Sequence, residues 1–387
     1  MVEKYEVYEV QVLEVSEENG KWKVRVSPSP LYPDGKGGQL GDRGEINGIS
    51  IQRVIEEKGD VYLVLADRIK TSHAVLHIDL ERRMDIAQQH TAQHILSAAF
   101  AKVADVDTVG FRMGERYSTI DLNVPHLTSE TLHAALELTN RVIRSCVDVD
   151  VLVVSPAEIE DYGLRRKVDS ALMRTEKIRL VRVGDFDIQA CGGFHVKNTG
   201  EIGMVGIIKT EKVKRTLTRV YFLAGVRLER YHRSLQETVE RLMHILTCSA
   251  GELEERVEAL QGDVKNFRTR LNKLADEHAR LLAAGGRFKK IHGDISLVVW
   301  EGDEYVARFL PKYLKKFVMV VKVDGGFMFA SDAVSCRKLC ELVKNRYPDS
   351  RGGAGETHGR IQCTATIDEF LRIVEEVVVS EGTATQR

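Results

Sequence analysis

The sequence predicts a mixed α+β protein of four consecutive modules: a small β-barrel over residues 1–82, an α/β core over 83–232, a coiled-coil helix over 233–285 and a C-terminal α/β domain over 286–387. Three observations predict it. Apolar and polar residues alternate along Tyr5–Leu13, Lys21–Val26 and Val61–Leu65, the period of half-buried strands, with glycine-rich turns between them. From Val239 to Leu281 the apolar residues instead follow a 4-3 alternation. Beyond Gly285-Gly286 the pattern changes again, to strands and helices in turn.

In chain order, the first eighty residues suit an antiparallel barrel or sandwich. Residues 83–147 read as mainly helical, with one helix from His90 to Val103 and another from Leu127 to Cys146. Strands return from Val149 and end at Arg219–Gly225. The 4-3 seam then implies a helix on the order of 60 Å long, weakened at Gly251, Gly262 and His278. A seam of this length needs cover, either from a second copy of the chain or from a helix of the same chain. The last hundred residues read as strand Ile295–Trp300, helix Glu304–Lys316, strand Val318–Val323, helix Ala333–Tyr347, a glycine-rich loop Arg351–Arg360 and helix Ile367–Val378. That loop lacks the Gly-Lys-Ser/Thr ending of a P-loop. Its glycines beside Arg351 and Arg360 suit backbone approach to a phosphate or a base, and equally a plain connection.

The chemistry lies in two pairs of residues four apart, His90-Thr-Ala-Gln-His94 and Cys191-Gly-Gly-Phe-His195. A helix turns every ~3.6 residues, so His90 and His94 project from one face. Gly192 and Gly193 interrupt any helix, which puts Cys191 and His195 on a tight loop entering a strand at Val196-Lys197. Each pair alone is as well explained by ordinary core residues, but together they offer thiolate and imidazole, the mixture zinc prefers, for one Zn2+ per chain. Spacing leaves open whether such a metal is structural, with four protein ligands, or catalytic, with one position free. Cys336 and Cys340, also at helical spacing, have no partner pair and read as small core residues.

A content of 43% hydrophobic and 29% charged residues is that of a globular protein. The net charge of −1 excludes a global attraction to nucleic acid. Local basic runs remain, with seven Lys or Arg from Leu164 to Arg182 against Asp169 and Glu176, and five from Lys209 to Arg219 against Glu211. Each is either a solvated face or a phosphate-contacting one. The opening Met-Val-Glu-Lys-Tyr-Glu has no apolar signal core, and no apolar span approaches ~20 residues, which predicts a cytoplasmic protein with reduced thiols and no membrane partner.

At the two ligand motifs the sequence resembles the editing module shared by alanyl-tRNA synthetase and the free-standing AlaX proteins. His90-Thr-Ala-Gln-His94-Ile-Leu and Cys191-Gly-Gly-Phe-His195-Val are similar to its two metal motifs, and Tyr32–Gly44 to its Tyr-Pro, Gly-Gly-Gln, Asp-x-Gly loop. The coiled coil and glycine-loop domain resemble the C-terminal region of the synthetase, as in the long form of AlaX. Phe194 stands where the family usually has Thr, Lys36 replaces a Gly, and Leu40 a Pro.

The resemblance implies hydrolysis in trans of the ester joining serine, or glycine, to the terminal adenosine of tRNA(Ala). It assigns the metal to His90, His94, Cys191 and His195, and counts Gln39 with His90, His94 and Cys191 in the catalytic group. It lines the aminoacyl pocket with Gly37, Gly38 and Gln39. The basic runs then read as tRNA contacts, with Arg219 as a substrate contact, and the seam reads as a homodimer interface, with cover from the same chain as the alternative. Because Thr91 follows His90, the helix motif supplies no carboxylate base. The rival readings are an editing hydrolase for another mischarged tRNA and a non-catalytic tRNA-binding protein with structural zinc.

Overall fold

In the computed structural model, which describes residues 5–168, 170–286 and 288–384, the alternation of the first eighty residues closes into a six-stranded barrel. Strands β1 (Tyr5–Glu18), β2 (Lys21–Ser27), β3 (Gly44–Ile46), β4 (Ile49–Glu57), β5 (Asp60–Leu65) and β6 (His73–Asp79) pair antiparallel in the order β1-β2-β5-β4-β3-β6, and β6 returns to β1. Val10, Val24, Ile46, Leu63, Leu65, Leu76 and Ile78 fill the interior. Closure leaves no open edge. Gly44, at φ 151°, sits so close to β6 that a Cβ would lie 1.9 Å from the His77 carbonyl oxygen.

Helix α1 (Leu80–Ala104) leaves β6 directly, with Asp79 accepting the Arg82 N–H at 3.0 Å as its N-cap. Every residue from Ile86 to Phe100 is buried, so this helix has no solvent face to give it a simple stripe. It packs in one core with β7 (Thr108–Met113), β8 (Ser118–Leu122), α2 (Ser129–Arg144), β9 (Val149–Val154), β10 (Ile178–Val183), β12 (Val205–Lys214) and β13 (Leu217–Ala224), while β11 (Asp187–Ala190) packs in a smaller cluster with β9 and β10. The strands form two antiparallel sheets, β12-β13-β8-β7 and β11-β10-β9. The pair β7 and β8 corrects the mainly helical reading of 83–147. No strand forms at Val196-Lys197, where the chain bends at Lys197 and bridges Asp148 through Asn198 before a helical turn at Thr199–Ile202.

The chain divides into two units, Met1–Arg241 and Leu242–Arg387. The single helix expected across 239–281 is two helices, α3 (Gly225–Leu246) and α4 (Leu253–Gly285). Thr247 turns to φ 52°, and Ser249 with Glu252 forms a capping box that starts the next helix. In α4 the seam residues Val257, Leu260, Val264, Phe267, Leu271, Leu274 and Leu281 are exposed, whereas Ala275 and Ala279 are buried against the C-terminal domain.

That domain holds β14 (Lys289–His292), β15 (Ile295–Trp300), α5 (Glu304–Ala307), β16 (Phe317–Val323), β17 (Gly326–Ser331), α6 (Cys336–Arg346), β18 (Arg351–Ala354), β19 (His358–Gln362) and α7 (Ile367–Ala384). The sheet runs β14-β15-β16-β17-β19-β18. Alternate residues of β16 face opposite layers. Val318 and Val320 pack towards α6 and α7, and Phe317, Met319 and Val321 towards α4 and α5. The helix expected over Glu304–Lys316 stops at Ala307, followed by a separate turn at Leu310–Lys312 that contains Pro311. The glycine-rich segment 351–360 is largely strand, β18 paired with β19. Cys336 and Cys340 are buried in the core. Among the described residues no helix is long and apolar enough to cross a membrane.

Replacing Gly44 by Ala is expected to cost about 2–4 kcal/mol, because backbone strain and a backbone clash combine. Ala at Gly48, a turn position with φ 77° and open space around it, should cost only about 1 kcal/mol. Urea unfolding of the two variants beside the parent checks the difference.

Candidate metal centre

Three chain segments converge to build the site. α1 supplies His90 and His94. The loop after β11 supplies Cys191 and His195, held open by Arg179, whose Nη1 donates to the Cys191 and Gly193 carbonyls at 2.6 and 3.0 Å. The loop between β2 and β3 supplies Gln39. That loop is folded around two carboxylates. Asp34 accepts the Gly41 and Val54 amides at 3.0 and 3.2 Å and both Arg43 amino groups. Asp42, fully buried, accepts the Tyr32 amide at 2.8 Å and two donors of Arg83 from α1. Burial would raise the Asp34 pKa, but Arg43 and the amides hold it below the usual carboxylate value.

One ligand atom from each of His90, His94, Cys191 and His195 lies within 4.8 Å of the others. Cys191 Sγ is 3.4 Å from His90 Nε2 and 3.2 Å from His195 Nε2. The other ring nitrogens face fixed partners. His90 Nδ1 donates to Gln39 Oε1 at 2.8 Å, and the same oxygen accepts the Phe194 amide at 2.9 Å. His195 Nδ1 shares a hydrogen bond of 3.1 Å with Thr91 Oγ1, which also accepts the Val196 amide. His94 Nδ1 faces Asp187 Oδ2 at 3.6 Å, and Asp187 is held by Arg165 at 2.8 Å. With a cation bound, Gln39 and Thr91 could take the Nδ1 protons of His90 and His195 and free each Nε2 lone pair for the metal.

The charges suit a cation. Burial opposes ionisation of Cys191, but the three imidazoles overcome it and hold the thiol at about 2, a thiolate. Burial pushes His195 down to about 3 and lowers His90 as well, which keeps both neutral near pH 7. Burial also works against protonation of His94, yet Asp187 and the thiolate raise it to about 9. One thiolate and three imidazole nitrogens, converging in a buried site, fit Zn2+.

A cavity of about 530 Å³ opens beside these ligands, lined among others by Gly37, Gln93, Thr108, Phe111, Arg166 and Lys177. His90 stacks on Phe111 with ring centres 5.3 Å apart. Gly193 has no room for a side chain, since a Cβ would lie 2.2 Å from His90 Cε1 and 2.4 Å from Gln39 Oε1. Phe194 packs on Tyr32 and beneath Arg83, at 5.2 and 4.9 Å.

The structure therefore brings together His90, His94, Cys191, His195, Gln39 and Gly37. Gly38, which abuts the Phe111 backbone, and Gln39, buried behind His90, are not among the residues that line the cavity. Arg219, on β13, makes a two-pronged ion pair with Asp121 at 2.7 and 2.9 Å and is not among the lining residues. A minority of the cations in the basic runs are paired internally: Arg165 with Asp187, Arg182 with Asp150, and Lys209 with Glu211. Asp169 lies outside the described residues. Sequence reasoning missed Thr91, Arg179, Asp187 and Gln93. The available signal was a polar residue inside an otherwise apolar buried helix, or beside a ligand motif.

A barrel and an α/β core thus carry a His3Cys cluster that could hold a metal ion beside a cavity. The family profile described as the threonyl and alanyl tRNA synthetase second additional domain matches residues 178–221. The alanyl-tRNA editing protein AlaX-L of Pyrococcus horikoshii is 31% identical over 66% of this chain and 68% of its own. The alanyl-tRNA editing protein Aarsd1-A of Xenopus laevis is 30% identical over 93% and 89%. An alanine–tRNA ligase of Hyperthermus butylicus is 32% identical over 65% of this chain but 28% of the ligase. The chain belongs to the alanyl-tRNA editing protein family.

Purified protein loaded with zinc is expected to hold about one ion per chain, and Cys191→Ser and His94→Ala to hold far less. Gly193→Ala, which leaves every ligand in place, should also lose metal by displacing His90. Elemental analysis after dialysis checks all three.

Proposed function

We propose that this protein is an aminoacyl-tRNA deacylase that acts in trans on mischarged tRNA(Ala), chiefly the seryl ester and secondarily the glycyl ester, in the cytoplasm. Four ligands meeting beside a cavity, in a chain of the editing-protein family, carry the reading. His90, His94, Cys191 and His195 would hold one zinc, which supplies polarisation of the ester or a bound water whose pKa falls from 15.7 towards ~7.

The remaining work falls to the chain's own residues. Gln39 fixes His90 through its carbonyl, while its Nε2, which has no hydrogen-bond partner among the described residues, is the donor assigned to the aminoacyl group. The Gly37 backbone borders the amino-acid end. Arg166 and Lys177, which make no ion pair among the described residues, stand at the cavity for the terminal phosphates. The run 209–219, with Arg219, and the C-terminal domain hold the tRNA body. The exposed seam of α4 pairs with a second copy of the chain.

A second site is needed because an alanine pocket discriminates a slightly larger isostere by only ~1–3 kcal/mol. A site that hydrogen-bonds the extra hydroxyl applies the opposite test and spares Ala-tRNA(Ala).

Zinc-loaded protein is expected to deacylate Ser-tRNA(Ala) fastest, Gly-tRNA(Ala) next and Ser-tRNA(Thr) least. Cys191→Ser should abolish cleavage while tRNA binding persists. If the protein cleaves none of the three while a synthetase editing domain succeeds in the same assay, the reading fails. Val264→Asp, in the α4 seam, should sediment as a monomer where the parent is a dimer.

A further inference from the structure

Most buried polar side chains of α1 are committed to scaffolding. Gln88 donates to the Glu201 carbonyl at 2.8 Å and accepts the Val226 amide. Gln89 donates to the Ala224 carbonyl at 2.7 Å and accepts the Ala224 amide. Thr91 is occupied by His195 and Val196. Gln93 differs. It is only 8% exposed, its Nε2 donates to Ser97 Oγ at 2.9 Å, and its carbonyl oxygen accepts no hydrogen bond from the described residues.

The orientation of that amide is fixed from behind. Thr108 Oγ1 donates to the same Ser97 oxygen at 2.8 Å, so both lone pairs of Ser97 are engaged. With its nitrogen tied to Ser97, the Gln93 amide presents its oxygen on the opposite side. Gln93 lines the cavity together with His90, His94, Cys191 and Thr108. It follows His90 by three positions, which places both on one side of the helix. At the cavity, that oxygen is an acceptor open to a donor on a bound ligand.

We propose that Gln93 is the residue that reads the amino acid, its carbonyl accepting the hydroxyl of a seryl group, with Ser97 and Thr108 as its positioning residues. The proposal rests on the deacylase reading above and names the specificity determinant within it. Serine fills the acceptor. Alanine leaves it bare against a methyl group, at a loss of roughly tenfold in affinity. The α-ammonium, the other donor present, is common to every amino acid and gives no discrimination.

The test uses binding rather than cleavage. Non-hydrolysable 3′-seryl and 3′-alanyl amides of adenosine are titrated calorimetrically into the zinc-loaded full chain, with zinc content and melting temperature followed for each variant. The parent is expected to prefer the seryl amide about tenfold. Gln93→Met should bring the two affinities together by weakening the seryl amide alone. Ser97→Ala, which frees the amide without removing it, should reduce the preference partway and carries the test if Gln93→Met does not fold. A preference that survives Gln93→Met, an equal loss for both amides, or a parent without preference overturns the proposal. In each of those cases cleavage of Ser-tRNA(Ala) by the parent still supports the deacylase reading. A parent that prefers the seryl amide but cleaves nothing sinks the deacylase reading and leaves the recognition by Gln93 intact.

Discussion

The site depends on one amide oxygen. Gln39 Oε1 takes the His90 Nδ1 proton and the Phe194 backbone amide together, and so ties the barrel loop, helix α1 and the Cys191–His195 loop at a single point. Each hydrogen bond contributes only about 1 kcal/mol net, but a buried group left without its partner costs about 1–3 kcal/mol. The three segments therefore stand or shift together. Their other features follow. Gly193 is bare because the Gln39–His90 pair occupies the space of its side chain. Asp34 and Asp42 fold the loop that carries Gln39, and Arg83 fastens that loop to the helix that carries His90.

The electrostatics obey the same geometry. A thiolate in a buried site is stable only beside positive charge. Without a cation, that charge is a proton on His94, which Asp187 and Arg165 back from behind. A divalent ion would take the proton's place, facing the same thiolate and leaving the outer partners of the imidazoles undisturbed. The residues behind the ligands thus prepare the tautomers and charges that a zinc site requires.

Much of this architecture was legible in the sequence. The period of two along residues 5–65 marked the barrel strands, though only the structure shows the sheet closed. The two four-residue spacings marked the ligands, because helix geometry and glycine conformation act locally. What sequence reasoning missed was set by distant packing. β7 and β8 are six and five residues long and lie between two helices, too short to stand out against them. The break between α3 and α4 left the 4-3 apolar pattern intact and was made by Thr247 and the Ser249–Glu252 box. Asp187, Arg179 and Thr91 are ordinary polar residues until the fold sets them behind a ligand. Arg219 shows the converse: a cation in a basic run, it is held by Asp121 on the neighbouring strand.

The central claim is that these distant segments close on one zinc through three imidazole nitrogens and a single thiolate. X-ray absorption at the zinc edge of the loaded protein tests it most directly. The expected spectrum has one sulfur scatterer near ~2.3 Å and nitrogen scatterers near ~2.0–2.1 Å with imidazole multiple scattering. A shell without sulfur, or one of oxygen ligands alone, would contradict the account.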